Sequence, residues 1–239
     1  MEDHVIETFS ATLLFIGCGV FIRIFTKLLR SHRSTNLVYP IISLAFVLSL
    51  FVMGMEEISW FQRILLIDTP QAFEGNVQGE LNLHNFATNF FHTAYFFLAF
   101  ILFVLLPFLN EKTFLFKNSC LFAFFIPSRF VLFASAIFVA YTYGNWSEPL
   151  PQLSFFITLF ILMHYAWVLR SVDNKLLLPT LVAVYVLTQT VFLGFGDFVN
   201  PWEIGEYKEF FIPLSFVIYS LEILHRTNAL KYCDAQKTI

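Results

Sequence analysis

Residues 38–63 read VYPIISLAFVLSLFVMGMEEISWFQR. From Val38 to Met55 eighteen residues pass without a charge, and then Glu56, Glu57 and Arg63 arrive within one further stretch of eight. A helix at the surface of a soluble domain is apolar along one stripe, whereas this run is apolar all round. Crossing ~30 Å of hydrocarbon takes ~20 helical residues, so the run predicts a membrane span that ends in a polar cluster.

The whole chain carries the same composition. Of its 239 residues 58% are hydrophobic and 13% charged, and its mean hydropathy is +0.71. Soluble domains are about one-quarter charged, and a chain of this size would need that charged surface to stay dissolved. The expected fold class is all-α: a polytopic transmembrane helix bundle forming a single domain over residues 1–239. Seven spans are expected at about 6–28, 38–60, 83–109, 116–143, 153–169, 176–195 and 210–224, with a folded outer loop over 61–82. Pro127 is expected to kink the fourth span, and in the loop Thr69 reads as an N-cap with Pro70 at the first helical position. Among the 33 Phe residues no functional pattern stands out. Cys18, Cys120 and Cys233 lack paired spacing and read as isolated thiols. The acidic opening MEDHVIETFS lacks the positive region of a secretory signal, so the first apolar segment counts as a span. A net charge of -3 without a basic patch speaks against a nucleic-acid partner.

Lys and Arg concentrate on cytoplasmic connections, which sets a direction. Arg23, Lys27, Arg30 and Arg33 follow the first span; Lys112 and Lys117 follow the third, Arg170 and Lys175 the fifth, and Arg226, Lys231 and Lys237 the last. Acids crowd the opposite ends, where Trp60, Trp146 and Trp202 also fall. The N-terminus is therefore expected outside and the C-terminus in the cytoplasm.

The densest polar chemistry lies where the second and third spans meet the outer face. If the second helix is regular, Glu56, Ser59, Trp60 and Arg63 share a face and Glu57 is turned about 100° away. On the third, Asn85, Thr88, Asn89, His92 and Tyr95 form a stripe, with His84 beside its top. Deeper ionisable groups are Arg129 near the middle of the fourth span, His164 in the fifth and Glu222 in the seventh; Asp197 tops the sixth, with Gln189 below it. Intramembrane ionisable groups point to function. Each also has a structural reading: Glu222 and Arg226 as an i,i+4 pair, the glutamates and Asp197 as interfacial acids, Arg129 in an ion pair, and His164 and the Asn stripe as interhelical glue.

Three function classes follow. In the first, a membrane-embedded enzyme acts on a lipid or lipid-linked substrate from the outer leaflet. Glu56 or Glu57 would be its base or metal ligand and His84 or His92 its acid–base partner. Arg63 would be the headgroup contact, with Trp60, Gln78, Glu80, Asn85, Asn89, Arg129, His164 and Asp197 lining the substrate site. The second class is a non-catalytic membrane subunit or sensor whose outer loop meets a protein partner. The third is a transporter or proton conduit running from outer acids past His92 and Arg129 to His164 and Gln189. The halves of the chain show no repeat. His84 and His92 stand ~12 Å apart along a regular helix, so a single divalent metal would need one of them, a glutamate and a ligand from another span. HxxxH, HExxH and CxxC are absent.

EEISWFQR, followed by TP, NVQGE and NLHN over Glu56–Asn85, resembles the motif run of an uncharacterised family of bacterial multi-pass inner-membrane proteins. Members often have Gly where this chain has Phe61. The resemblance covers roughly an eighth of the chain and implies a bacterial inner-membrane location but no activity. It makes Gln62, Asn76 and Asn82 shared positions beside the residues named above. Span number and intramembrane histidines are also similar to the seven-span hydrolases of the alkaline ceramidase and adiponectin receptor superfamily, which hold zinc with three histidines. This chain departs from their pattern, with no Ser four residues before His92 and only His225 at the end of the seventh span.

Overall fold

The computed structural model describes residues 3–30, 37–76, 79–113, 119–141, 149–169, 176–195 and 201–236, with the side chains of 3–5, 193, 201–206 and 230–236 left aside. All regular structure among them is helical. The helices are α1 (Asp3–Arg30), α2 (Val38–Glu57), the single turn α3 (Gln62–Leu65), α4 (Thr88–Lys112), α5 (Cys120–Phe125), α6 (Arg129–Ser135), α7 (Ile137–Ala140), α8 (Pro149–Val168), α9 (Leu177–Phe195) and α10 (Pro201–Gln236). Four stretches, Ile6–Arg30, Val38–Glu57, Thr88–Lys112 and Pro149–Val168, are long and apolar enough to cross a bilayer. That makeup is that of an integral membrane protein.

The chain divides into two compact units. The first comprises Met1–His92, Lys117–Phe125 and Pro213–Ile239. At its centre α1 lies along α2, and small residues set how closely the two approach. A Cβ on Gly54 would come 2.9 Å from Cε1 of Phe15, and one on Gly17 would come 3.3 Å from Leu50. Phe21 stacks on Phe46 at 4.7 Å, and Tyr219 of α10 meets Phe46 edge-on at 5.6 Å. In lipid, helices associate through such van der Waals fit, because the tails are as apolar as the side chains.

In this unit the end of α5 is held by α10. Pro127 has no N–H, and the chain leaves the helix at Ile126, so the carbonyls of Ala123, Phe124 and Phe125 lose their i+4 donors. Side chains of α10 replace them. Arg226 donates from Nη1 to Ala123 and Phe124 at 3.2 and 2.7 Å, and the Tyr219 hydroxyl donates to Phe125 at 2.5 Å. Glu222 pairs with Arg226 one turn away, the pair expected from their spacing.

The second unit comprises Thr93–Phe116 and Ile126–Ile212. Tyr185 of α9 stacks on Phe155 of α8 at 4.7 Å and donates to its carbonyl at 3.2 Å. Buried Gln189 donates its amide to the carbonyl of Ala140 at the end of α7. Phe96 meets Phe138 edge-to-face at 5.8 Å.

Several expected boundaries move. The second helix stops at Glu57, not Trp60, so Ser59, Trp60 and Arg63 do not continue its face. The third begins at Thr88, leaving His84 and Asn85 in a separate 3-10 turn, His84–Phe86. It runs on to Lys112 through a π-helical turn at Ile101–Leu105, just ahead of Pro107 and its missing N–H. Pro127 breaks the fourth segment outright, and Ser128 caps the new start by accepting from the N–H of Val131. Arg129 is therefore the first residue of a short helix, not the middle of a long one. In the long connection a 3-10 turn spans Gln71–Phe73 with Pro70, not Thr69, as its flanking residue. The last helix is far longer than residues 210–224.

Candidate functional site

The polar cluster assembles in the first unit, in the connection between α2 and α4, and a reversal of the backbone makes it. Ser59, Trp60 and Phe61 have φ of 48°, 52° and 63°, three consecutive left-handed residues of which none is glycine. Left-handed φ presses Cβ toward the following carbonyl, so these positions hold only where the surroundings over-determine them. The surroundings are two carboxylates.

Glu56, in the last turn of α2, accepts the indole N–H of Trp60 on Oε1 at 2.7 Å. Its Oε2 accepts the backbone N–H groups of Leu83 and His84 at 2.6 and 3.1 Å. Nδ1 of His84 lies 3.4 Å from the same oxygen. The carboxylate thus caps the His84–Phe86 turn, supplying the acceptor that free N–H groups at a helical start require.

Glu80 is the second anchor. Its Oε1 takes both Nε and Nη2 of Arg63, the former at 2.8 Å, and its Oε2 takes Ser59 Oγ at 2.7 Å and Asn82 Nδ2 at 3.1 Å. Arg63 donates Nη1 to Glu7 of α1 at 2.7 Å, so one guanidinium ties the connection to the first helix. Burial alone would lower the pKa of that guanidinium, but the hydrogen bonds and charges of Glu80 and Glu7 outweigh it and the net shift is upward. Asn76 closes the ring: its Oδ1 accepts the Glu80 N–H at 3.0 Å and its amide donates to the Glu80 carbonyl. Buried Gln62 bridges the Thr69 hydroxyl, at 3.0 Å, and the Leu81 N–H. Beside this lattice a shallow, open depression of about 450 Å³ is lined by Gln62, Arg63, Leu66, Ile67, Asp68, Gly79 and Glu80.

The other anticipated residues fall as follows. Glu57 is the half-buried last residue of α2, and Asn85 is buried in its 3-10 turn. On α4 Asn89 is exposed and His92 is half-buried. Gln78 and Asp197 lie outside the described residues.

Arg129 and His164 belong to the second unit. Arg129 donates Nε to Glu111, which also accepts the Tyr165 hydroxyl at 2.8 Å and lies 3.2 Å from Lys112. The guanidinium stands 5.7 Å over the Tyr165 ring, with its side chain half exposed. His164 packs its ring among Phe108, Phe160 and Tyr165. Sequence reasoning missed Glu111 and Glu7. The signal for Glu111 was an acid beside Lys112 at a basic helix end, and for Glu7 an acid at the same end of the chain's fold as Arg63. Among the described residues no three His, Cys, Asp or Glu side chains gather as a metal site.

No protein family, no curated protein and no solved structure matches this chain.

Proposed function

We propose that this is a seven-span protein of a bacterial inner membrane, N-terminus outside, and that it works as a non-catalytic membrane subunit. In this reading the α2–α4 connection is a rigid outer element. The observation that carries it is how the two carboxylates are used. Glu56 and Glu80 each accept several short hydrogen bonds from the connection's own groups, so each is a fastener where a general base would need an acceptor turned to substrate. Arg63 is held between Glu80 and Glu7 in the same way. Its protein partner would meet the polar side of the connection.

A second reading, an enzyme acting on a lipid headgroup, draws on the open depression where Arg63 and Glu80 border the exposed Asp68. Substitution separates the two. Glu56→Gln, Glu80→Gln, Arg63→Ala and Asp68→Asn are compared for membrane abundance, detergent melting temperature and rescue of a deletion strain's phenotype. A subunit predicts that the first three lose abundance and melting temperature together, while Asp68→Asn is neutral. Full abundance with lost rescue in Asp68→Asn or Glu56→Gln would sink the subunit reading in favour of the enzyme.

A further inference from the structure

The α2–α4 connection is built inside out. Five polar side chains around its reversal are buried: Ser59 is 0% exposed and Asn82 2%, with Gln62, Asn76 and Asn85 also buried, while Asp68, Gln71 and Glu74 further along are exposed. Its large apolar side chains are the exposed ones, with Ile64 at 69% and Leu66 at 87%, and Leu65, Ile67, Leu83 and Phe86 also outside. In water that arrangement is the wrong way round, because four consecutive aliphatic residues would be solvated while amides and a hydroxyl are desolvated. In lipid it is the required way round, since polar groups there must be satisfied internally.

We propose that residues 60–67, with Leu83 and Phe86, form a membrane-seated element whose partner is lipid. The aliphatic edge Ile64–Ile67 would rest in the headgroup and upper acyl region of the leaflet at that end of α2 and α4. Three observations choose lipid over a protein cover. The 20 residues of α2 suffice to cross the hydrocarbon, so the connection starts at the bilayer surface. Its apolar edge continues along the chain from exposed apolar positions on both flanking helices, Leu48 and Phe51 on α2 and Phe90 and Phe91 on α4. Within residues 60–67 the charged side chain is Arg63, which is matched with Glu7 and Glu80, and the Trp60 N–H is matched with Glu56; the exposed Asp68 that follows Ile67 would stand at the headgroup and water side of the edge. Seating in lipid holds for a subunit and for an enzyme alike, so its failure leaves the functional reading standing.

The test uses the full-length protein in liposomes of phosphatidylethanolamine and phosphatidylglycerol. Cys120 and Cys233 are replaced by Ser and the buried Cys18 is retained. Leu66→Cys, Ile64→Cys and the loop control Glu74→Cys are labelled with an environment-sensitive fluorophore. Quenching is read from lipids brominated near the headgroup end of the acyl chain and from aqueous iodide. The expected result is loss of most emission at 64 and 66 with brominated lipid, little with iodide, and the reverse at 74. Iodide quenching at 64 and 66 equal to that at 74 would overturn the proposal, as would labels blind to both quenchers, the sign of a protein cover. Both test positions are exposed, so neither substitution removes a packed side chain.

Discussion

Phe61 sits at φ +63°, a conformation in which a β-carbon costs about 1–2 kcal/mol and glycine costs little. Glycine at this position would put the permissive residue at the end of the reversal. Phe61→Gly is expected to raise the detergent melting temperature, by a net stabilisation of about 1 kcal/mol. Phe61→Ala keeps the β-carbon and should give no such gain, so the pair separates relief of backbone strain from loss of the ring. At Arg63 a fork of donors holds two carboxylates at once. Arg63→Lys is expected to lose about 1–2 kcal/mol, because one ammonium cannot reproduce that geometry. Of this site, Glu56, Trp60, Arg63, Glu80 and His84 were legible because polar residues stand out against an apolar chain. Their partners were not. Nothing in Ser59-Trp60-Phe61 announces three left-handed residues, and a helix continued through them puts Ser59 and Arg63 on one face with Glu56, whereas both bond to Glu80.

Among the elements, the broken fourth segment shows how a proline inside an apolar stretch is tolerated. Pro127 removes one donor and the chain's departure removes two more, and Arg226 and Tyr219 supply their replacements to the three carbonyls. Arg226→Gln should therefore destabilise the protein by about 1–3 kcal/mol through unsatisfied carbonyls and an unpaired Glu222. In a Pro127→Ala background, where residue 127 regains its N–H, the loss should shrink, and chemical denaturation in detergent of the two single variants and the double variant measures that coupling. Close approach of α1 and α2 depends on Gly54 in a similar way. Gly54→Val drives a side chain into Phe15, and the expected loss of about 1–3 kcal/mol should be partly recovered by Phe15→Leu. Proline positions and small residues are readable in any sequence, but which residue answers them depends on distant elements, about 100 positions away for Pro127 and on the preceding helix for Gly54.

For the molecule as a whole, the unequal spread of Lys and Arg predicts direction: a fluorescent protein fused after Ile239 should be bright from the cytoplasm, and an N-terminal epitope should be reachable on intact spheroplasts. Finding the N-terminal epitope only after permeabilisation would reverse that topology. By itself the sequence determined that the chain is helical and that its solvent is lipid, because hydropathy and charge are sums over residues and need no knowledge of neighbours. It also located where polar residues concentrate. Only the tertiary structure decided what those residues do: that Glu56 caps a turn 27 residues later, that Arg63 reaches back to Glu7, and that Arg129 answers Glu111 at a helix end. Each of those pairings depends on where the backbone stops being helical. Helix ends in lipid are set by which distant donor or acceptor satisfies a freed backbone group, and composition alone carries no record of that.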